Sequence, residues 1–191
     1  MTPDNAPERT TIREQLLEHG QVLLMTRGYN GFSYRDLSEL VGVKTSSIHY
    51  YFPSKDDLVL EAVNTYSADV MSSIYAIDSS ATAEKKLDRY ARLFGKLLGD
   101  GNRICLCAML AADIASLNED IRRAVQAFVK ANESWLAKIL IEGDAQQTLR
   151  LNGKPDASGR VLFAAFQGSL MSARLFHSKA RLDEVIQTVK R

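Results

Sequence analysis

The 191-residue chain is 46% hydrophobic, enough apolar material for one large or two small domains. With 24 Lys/Arg against 23 Asp/Glu, its formal charge of +1 carries no bulk signature of a nucleic-acid binder, and residues 1–60 hold six basic against eight acidic side chains. Cys105 and Cys107 stand too close together to staple a fold, and the least polar stretch, Val161–Ala173, is too short for a membrane span and is interrupted by Gln167. No charged-then-apolar leader stands at the N-terminus, so the expected address is the reducing cytoplasm, with no membrane partner.

In chain order, residues 1–11 are polar, include Pro3 and Pro7, and read as a disordered arm. Ile12, Leu16, Leu17, Leu23 and Leu24 recur at helical spacing, and Gly28 after Arg27 closes that helix. Ser33 with Asp36 three residues on starts a second short helix through Leu37, Leu40 and Val41. Gly42 supplies a tight turn, because glycine enters left-handed backbone space without steric cost. A third helix is predicted over Thr45–Tyr51, stopped by Pro53, and Ser54 with Asp57 caps a fourth that runs to about Tyr75. Further helices are expected near 84–98, 103–115, 119–142, 157–178 and 182–190, with breaks at Gly99–Asn102 and Asn152–Asp156. No β-alternation or internal repeat intervenes. The expectation is an all-α protein of about nine helices: residues 12–58 form a three-helix head with a helix-turn-helix, and 59–191 form a helical bundle for ligand binding and dimerisation.

The segment Gly42–Lys55 carries the function. No acid lies between Leu40 and Lys55, while Lys44, His49 and Lys55 all do, so charge is positive where phosphates would approach. A recognition helix presents short polar side chains to base edges and packs its other face on the preceding helices. Lys44, Thr45, Ser46, Ser47 and Tyr50 are placed outward, and Ile48 with Phe52 inward beside Leu37, Leu40 and Val43. His49 and Tyr51 flank the helix within reach of phosphates. Lys55 sits beside the N-terminus of the fourth helix, a natural phosphate site. Ser33 and Tyr34, at the start of the second helix, complete the candidate contacts. Tyr50 and Tyr51 have core packing as their alternative role, and Phe52 reads as core.

In order and spacing, these residues resemble the TetR/AcrR family of bacterial transcriptional regulators over roughly residues 11–60. The resemblance is carried by Ile12 and its helix, Gly28-Tyr29, Ser33-Tyr34-Arg35-Asp36-Leu37, Gly42-Val43, Tyr51-Phe52-Pro53-Ser54-Lys55 and Leu58. Two positions depart from the pattern: His49 stands where a phosphate-contacting tyrosine is usual, and Ser47 where threonine is common. The family likeness implies a DNA-binding repressor released by an effector in its bundle, a homodimer on pseudo-palindromic double-stranded DNA, and pairing of the last two long helices. Activation instead of repression stays open, because the head does not encode the sign.

For that pairing, Phe163, Phe166, Leu170, Leu175 and Phe176 on the helix around 157–178, with Ala164, Ala165 and Gly168 permitting close approach, and Ile121, Val125, Phe128, Trp135 and Ile139 on 119–142, are the expected interface; a central core helix of a monomer is the alternative for the first. Met71, Tyr75, Phe94, Cys105, Met109, Phe163 and Met171 are candidates to line an effector cavity, each with plain core as its other reading. The run Arg103–Cys107 with Ala112-Asp113 and Leu117–Arg122 resembles a branch of the family that represses detoxification reductases and senses electrophiles or hypochlorite through one cysteine. The resemblance puts Cys105 on the sensing position and Arg174 near an activating lysine. Inert core is the other reading of Cys105. Metal binding by the Cys-x-Cys pair is disfavoured, since residues two apart on a helix diverge. Neither a metal nor a cofactor is implied. The three histidines are scattered, and no His-Glu-x-x-His, Gly-x-Ser-x-Gly or phosphate-loop motif occurs, which argues against an enzyme. A helical protein-interaction module, the remaining rival, would have no use for the Gly42–Lys55 arrangement.

Overall fold

The computed structural model describes residues 11–191. The expected N-terminal arm lies outside these, except for Thr11, which caps the first helix by exchanging hydrogen bonds with Glu14. Nine α-helices and no strand occur among the described residues. They are α1 (Ile12–Arg27), α2 (Tyr34–Val41), α3 (Thr45–Tyr51), α4 (Lys55–Tyr75), α5 (Ala83–Gly99), α6 (Leu106–Ala112), α7 (Glu119–Ala145), α8 (Pro155–Phe176) and α9 (Ala180–Val189).

Local chemistry sets the boundaries in the head. Asp36 accepts from the Ser33 N–H and hydroxyl at 2.8 and 2.7 Å, and Asp57 does the same for Ser54 at 2.9 and 2.7 Å. Gly42 ends α2 in the left-handed region, with φ 74° and ψ 30°. Leu16, Leu37, Ile48, Phe52 and Leu58 close the core of this three-helix unit.

In the rest of the chain α7 lies along α8, and α4 packs on both α1 and α7. Gly159 permits the α7–α8 approach: an added Cβ would lie 2.5 Å from the Glu133 carbonyl oxygen. Tyr90, Phe94, Phe128 and Phe166 fill the centre, with Trp135 stacked on Tyr90 at 5.2 Å between centroids.

One boundary differs from expectation in a way that matters. The helix expected over 103–115 is shorter: α6 begins at Leu106, and its last turn is replaced by a 3-10 turn at Ile114–Ser116. Gly101 and Asn102 both adopt positive φ, and the Ile104 N–H is drawn to the Met25 carbonyl, so the chain stays extended until Cys105.

Candidate nucleic-acid interface

α3 has one buried residue, Ile48, and is anchored just past its end by Phe52. Lys44, Thr45, Ser46, His49 and Tyr50 are exposed, Tyr50 by 82%, while Ser47 and Tyr51 are half-buried. Tyr50 meets the ring of Tyr51 edge-on at 5.0 Å. The His49 Nδ1–H donates to the Pro53 carbonyl at 3.0 Å, and because a carbonyl can only accept, this fixes the proton on Nδ1 and leaves Nε2 free. Ser33 is exposed at the start of α2. These polar groups are thus open to solvent on α3 and at the start of α2.

Tyr34 and Lys55 face the other way, contrary to the sequence-based placement. Tyr34 is buried, and its hydroxyl donates to the carbonyls of Phe52 and Ser54. The Lys55 ammonium donates to the carbonyls of Tyr29 and Phe32 and lies over both rings, at 4.6 and 4.2 Å from their centroids. Burial pushes the Lys55 pKa down, against the opposing pull of Asp36, Asp56 and Asp113. Both side chains tie the α3–α4 junction to the earlier helices.

A polar seam joins this unit to the rest of the chain, and the sequence reading did not identify it. The Asp113 carboxylate, at the end of α6, accepts the Tyr29 backbone N–H at 2.7 Å and the Asn30 amide at 3.3 Å. Asn30 also donates to Ser116 Oγ at 2.9 Å, and Asn118 to Asp56 at 3.0 Å. The Tyr29 hydroxyl donates to Asp56; burial first, and that bond second, raise its pKa to about 12. Asp113 can approach only because residue 28 is glycine: a Cβ there would lie 2.6 Å from Asp113 Oδ2.

The candidate cavity residues are dispersed. Phe94, Cys105 and Phe163 are buried, Met71 and Met109 are half-buried, and Tyr75 and Met171 are 70% and 52% exposed, so the last two face away from the interior. A cavity of about 180 Å³ lies between α4 and α5, lined by Tyr66, Asp69, Val70, Ser73, Leu93, Phe94 and Leu97. Of the expected residues only Phe94 borders it. A larger, open groove of about 760 Å³ is lined by Arg92, Lys96, Asp100, His177, Lys179 and others, and none of the expected cavity residues borders it. The interior also holds buried polar atoms without partners: the Tyr66 hydroxyl, Ser67 Oγ, Arg122 Nε and both amide atoms of Gln167. Their signal in the sequence is a polar residue at an inward helical position, such as Gln167 within Val161–Ala173.

Most of the expected dimer residues are core, while Leu175 and Phe176 are exposed. Ile121, Val125, Phe128, Phe163, Phe166 and Leu170 are each at most 5% exposed within one chain, and Trp135 stacks inward on Tyr90. The opposite face of α8 exposes Val161, Ala164, Ala165, Gly168, Met171 and Leu175, a stripe at helical spacing that includes four residues expected at the pairing surface. Arg174 is also displaced from its expected role, because its guanidinium donates to the Thr26 carbonyl at 2.7 Å and lies 3.8 Å from Met109 Sδ. The groups against Cys105 Sγ are Cys107, Tyr66 and the N–H groups of Ala108 and Cys107. Among the described residues, no group of three or more His, Cys, Asp or Glu is placed to hold a metal, and no helix is long and apolar enough to cross a membrane.

A short polar helix presented by a glycine turn on a three-helix unit defines a helix-turn-helix DNA-binding protein. Comparison with known proteins narrows this. Residues 16–62 match the bacterial regulatory proteins of the tetR family, and residues 100–189 match the tetracyclin repressor-like C-terminal domain. The HTH-type transcriptional repressor DhaR of Mycobacterium sp. (strain GP1) is 25% identical, over 95% of this chain and 91% of that protein. The HTH-type transcriptional repressor NemR of Escherichia coli (strain K12) is also 25% identical, over 93% and 92%. A solved TetR-family regulator from Agrobacterium tumefaciens superposes with a TM-score of 0.88 at 29% identity, covering 94% of this chain and 98% of that one. The chain belongs to the TetR family of DNA-binding transcriptional regulators, a family of regulators and not of enzymes.

Proposed function

We propose that the protein is a cytoplasmic homodimeric repressor that binds a pseudo-palindromic operator and is released by a small molecule held in the helices beyond the head. The observation that carries this reading is the outward surface of α3, where Lys44, Thr45, Ser46, His49 and Tyr50 are exposed on a helix whose other side is core. Ser33, Ser47 and Tyr51 extend that surface. With Nδ1 turned to the Pro53 carbonyl, Nε2 is the His49 ring nitrogen left to face DNA.

The head, residues 12–58, reads only a few base pairs, so two copies are needed about 34–36 Å apart on successive major-groove faces. The apolar stripe of α8, with Gly168 open to solvent, supports pairing of two chains across it, with α7 alongside. Residues 59–191 would then combine dimerisation with ligand binding. The orphaned hydroxyl of Tyr66, which lines the α4–α5 cavity, supports an effector with a polar group to satisfy it. Such an effector acts only if it binds the DNA-incompetent state more tightly. Footprinting on the protein's own upstream DNA tests this reading: two protected half-sites related by a dyad are expected, and protection of a single half-site by a monomer would overturn it.

A second reading, release through modification of Cys105, is favoured by that thiol's surroundings. Burial raises its pKa, but the Cys107 thiol, the Tyr66 hydroxyl and the N–H groups of Ala108 and Cys107 outweigh burial and lower it overall, which favours the nucleophilic thiolate. Loss of the oxidant response in Cys105→Ser, with DNA binding intact, is the expected result. An equal response in the variant would remove the reading.

A further inference from the structure

Only one of the two cysteines lies inside a helix. Cys105 is the residue before the first turn of α6, with φ −50° and ψ 125°, so its side chain leaves an extended backbone while that of Cys107 leaves a helical one. The divergence of two residues inside one helix therefore does not apply to this pair, and the two thiols interact electrostatically. Both are free thiols and buried. Two hydroxyls from α4 face the pair: Tyr66 lies against Cys105 and Ser67 against Cys107. Neither hydroxyl reaches hydrogen-bond geometry with any partner, although Tyr66 is only 7% exposed. Tyr66 also lines the 180 Å³ cavity, so one side chain borders both that cavity and Cys105. The cavity is well below the ~300–1,000 Å³ of drug-sized sites but admits a small oxidant.

We propose that Cys105 and Cys107 form one dithiol redox site, in which a hydroperoxide oxidises the pair to a Cys105–Cys107 disulfide. This deepens the cysteine-switch reading above by naming the second thiol and the product. Cys105 sulfur attacks the terminal peroxide oxygen; an S–O bond forms, the O–O bond breaks, and the leaving alkoxide takes up the Cys105 proton as an alcohol. Cys107 sulfur then attacks the resulting sulfenic sulfur, and hydroxide leaves with the Cys107 proton as water. The thiols lose two electrons and two protons, and the peroxide is reduced to alcohol and water. Burial and the neighbouring Cys105 push the Cys107 thiol up, so Cys105 is the attacking thiol and Cys107 the resolving one. Residues two apart at a helix start fall within the about 4.4–6.8 Å Cα separation that a disulfide spans.

The bond has a mechanical consequence. The first turn of α6 hangs from the Cys105 carbonyl, which accepts the N–H groups of Ala108 and Met109 at 3.1 Å each. At the other end of the same short helix, Asp113 grips Tyr29 and Asn30. Turning the Cys105 backbone to close the disulfide moves α6, and with it the grip on the DNA-binding head.

The test treats the reduced full-length chain with increments of hydrogen peroxide, blocks remaining thiols under denaturing conditions, and reads peptide mass and DNA anisotropy in parallel. The expected product is a single peptide carrying both cysteines, lacking two hydrogens and refusing the blocking agent. DNA affinity should fall at least about tenfold and return with a dithiol reductant. Cys107→Ser, or Cys107→Ala should the serine variant misfold, should instead accumulate oxygen adducts at Cys105. A Cys107 that still alkylates after Cys105 is oxidised, or a disulfide joining two chains, would overturn the proposal. An intramolecular disulfide without loss of DNA affinity would leave the dithiol site standing and sink the cysteine-switch reading instead.

Discussion

The Asp113 contact offers a quantitative check on how the head is held. Asp113→Ala removes a charged acceptor from the Tyr29 N–H at 2.7 Å and from the Asn30 amide at 3.3 Å. A hydrogen bond to a charged group contributes about 1.5–3 kcal/mol, and the half-exposed setting of the seam and the second Asn30 partner, Ser116, place the cost near 2 kcal/mol. For a chain of this length that lowers the thermal midpoint by about 4–8 °C. Gly28→Ala meets two penalties. At φ 77° and ψ −177° the backbone region is essentially glycine-only, costing about 1–3 kcal/mol, and the new Cβ would sit 2.6 Å from Asp113 Oδ2 and displace the carboxylate. The second penalty vanishes once Asp113 is alanine. The double variant should therefore be less destabilised than the sum of the singles by about 2 kcal/mol, measured by denaturant unfolding at one fixed protein concentration. Additivity within about 0.5 kcal/mol would refute the claim that Gly28 exists to admit Asp113.

Lys44 and Lys55 should separate cleanly: Lys44→Ala reduces the salt slope of DNA binding by about 1, whereas Lys55→Met leaves the slope unchanged and lowers stability by about 2 kcal/mol, read by salt titration and thermal melts. Leu175→Glu, on the exposed stripe of α8 and 73% exposed, should give a folded monomer in light scattering; a stable dimer would move the interface elsewhere. Because the thiolate is the reactive form and the Cys105 pKa is lowered while that of Cys107 is raised, alkylation of Cys105 should rise with pH and level off below the ordinary thiol range, ahead of Cys107. The reverse order of labelling would contradict the assignment of attacking and resolving thiols.

What was legible in the sequence was local. Ser33 with Asp36, Ser54 with Asp57, and Gly42 set helix ends through partners at most four residues away, and those ends lie where the residues indicate. Lys55 was misplaced because its partners, the carbonyls of Tyr29 and Phe32, come from 26 and 23 residues earlier and exist only in the folded chain. On α8, apolar side chains occur on every side, so periodicity cannot say whether Phe166 and Leu170 or Met171 and Leu175 face the core. The cysteine pair depends on one boundary: a helix starting at 103 would hold both residues, whereas the start at Leu106 leaves Cys105 on extended backbone. Asp113 gives no local signal, since its partners lie more than eighty residues away.

The central claim rests on the outward face of α3, and fluorescence anisotropy of the reduced protein on its own upstream intergenic DNA addresses it most directly. The account predicts tight binding that weakens with salt, and a loss of at least about tenfold in Tyr50→Ala without change in melting temperature, because Tyr50 is 82% exposed and supports no core. Affinity no greater than for unrelated DNA, or undiminished in Tyr50→Ala, would contradict it.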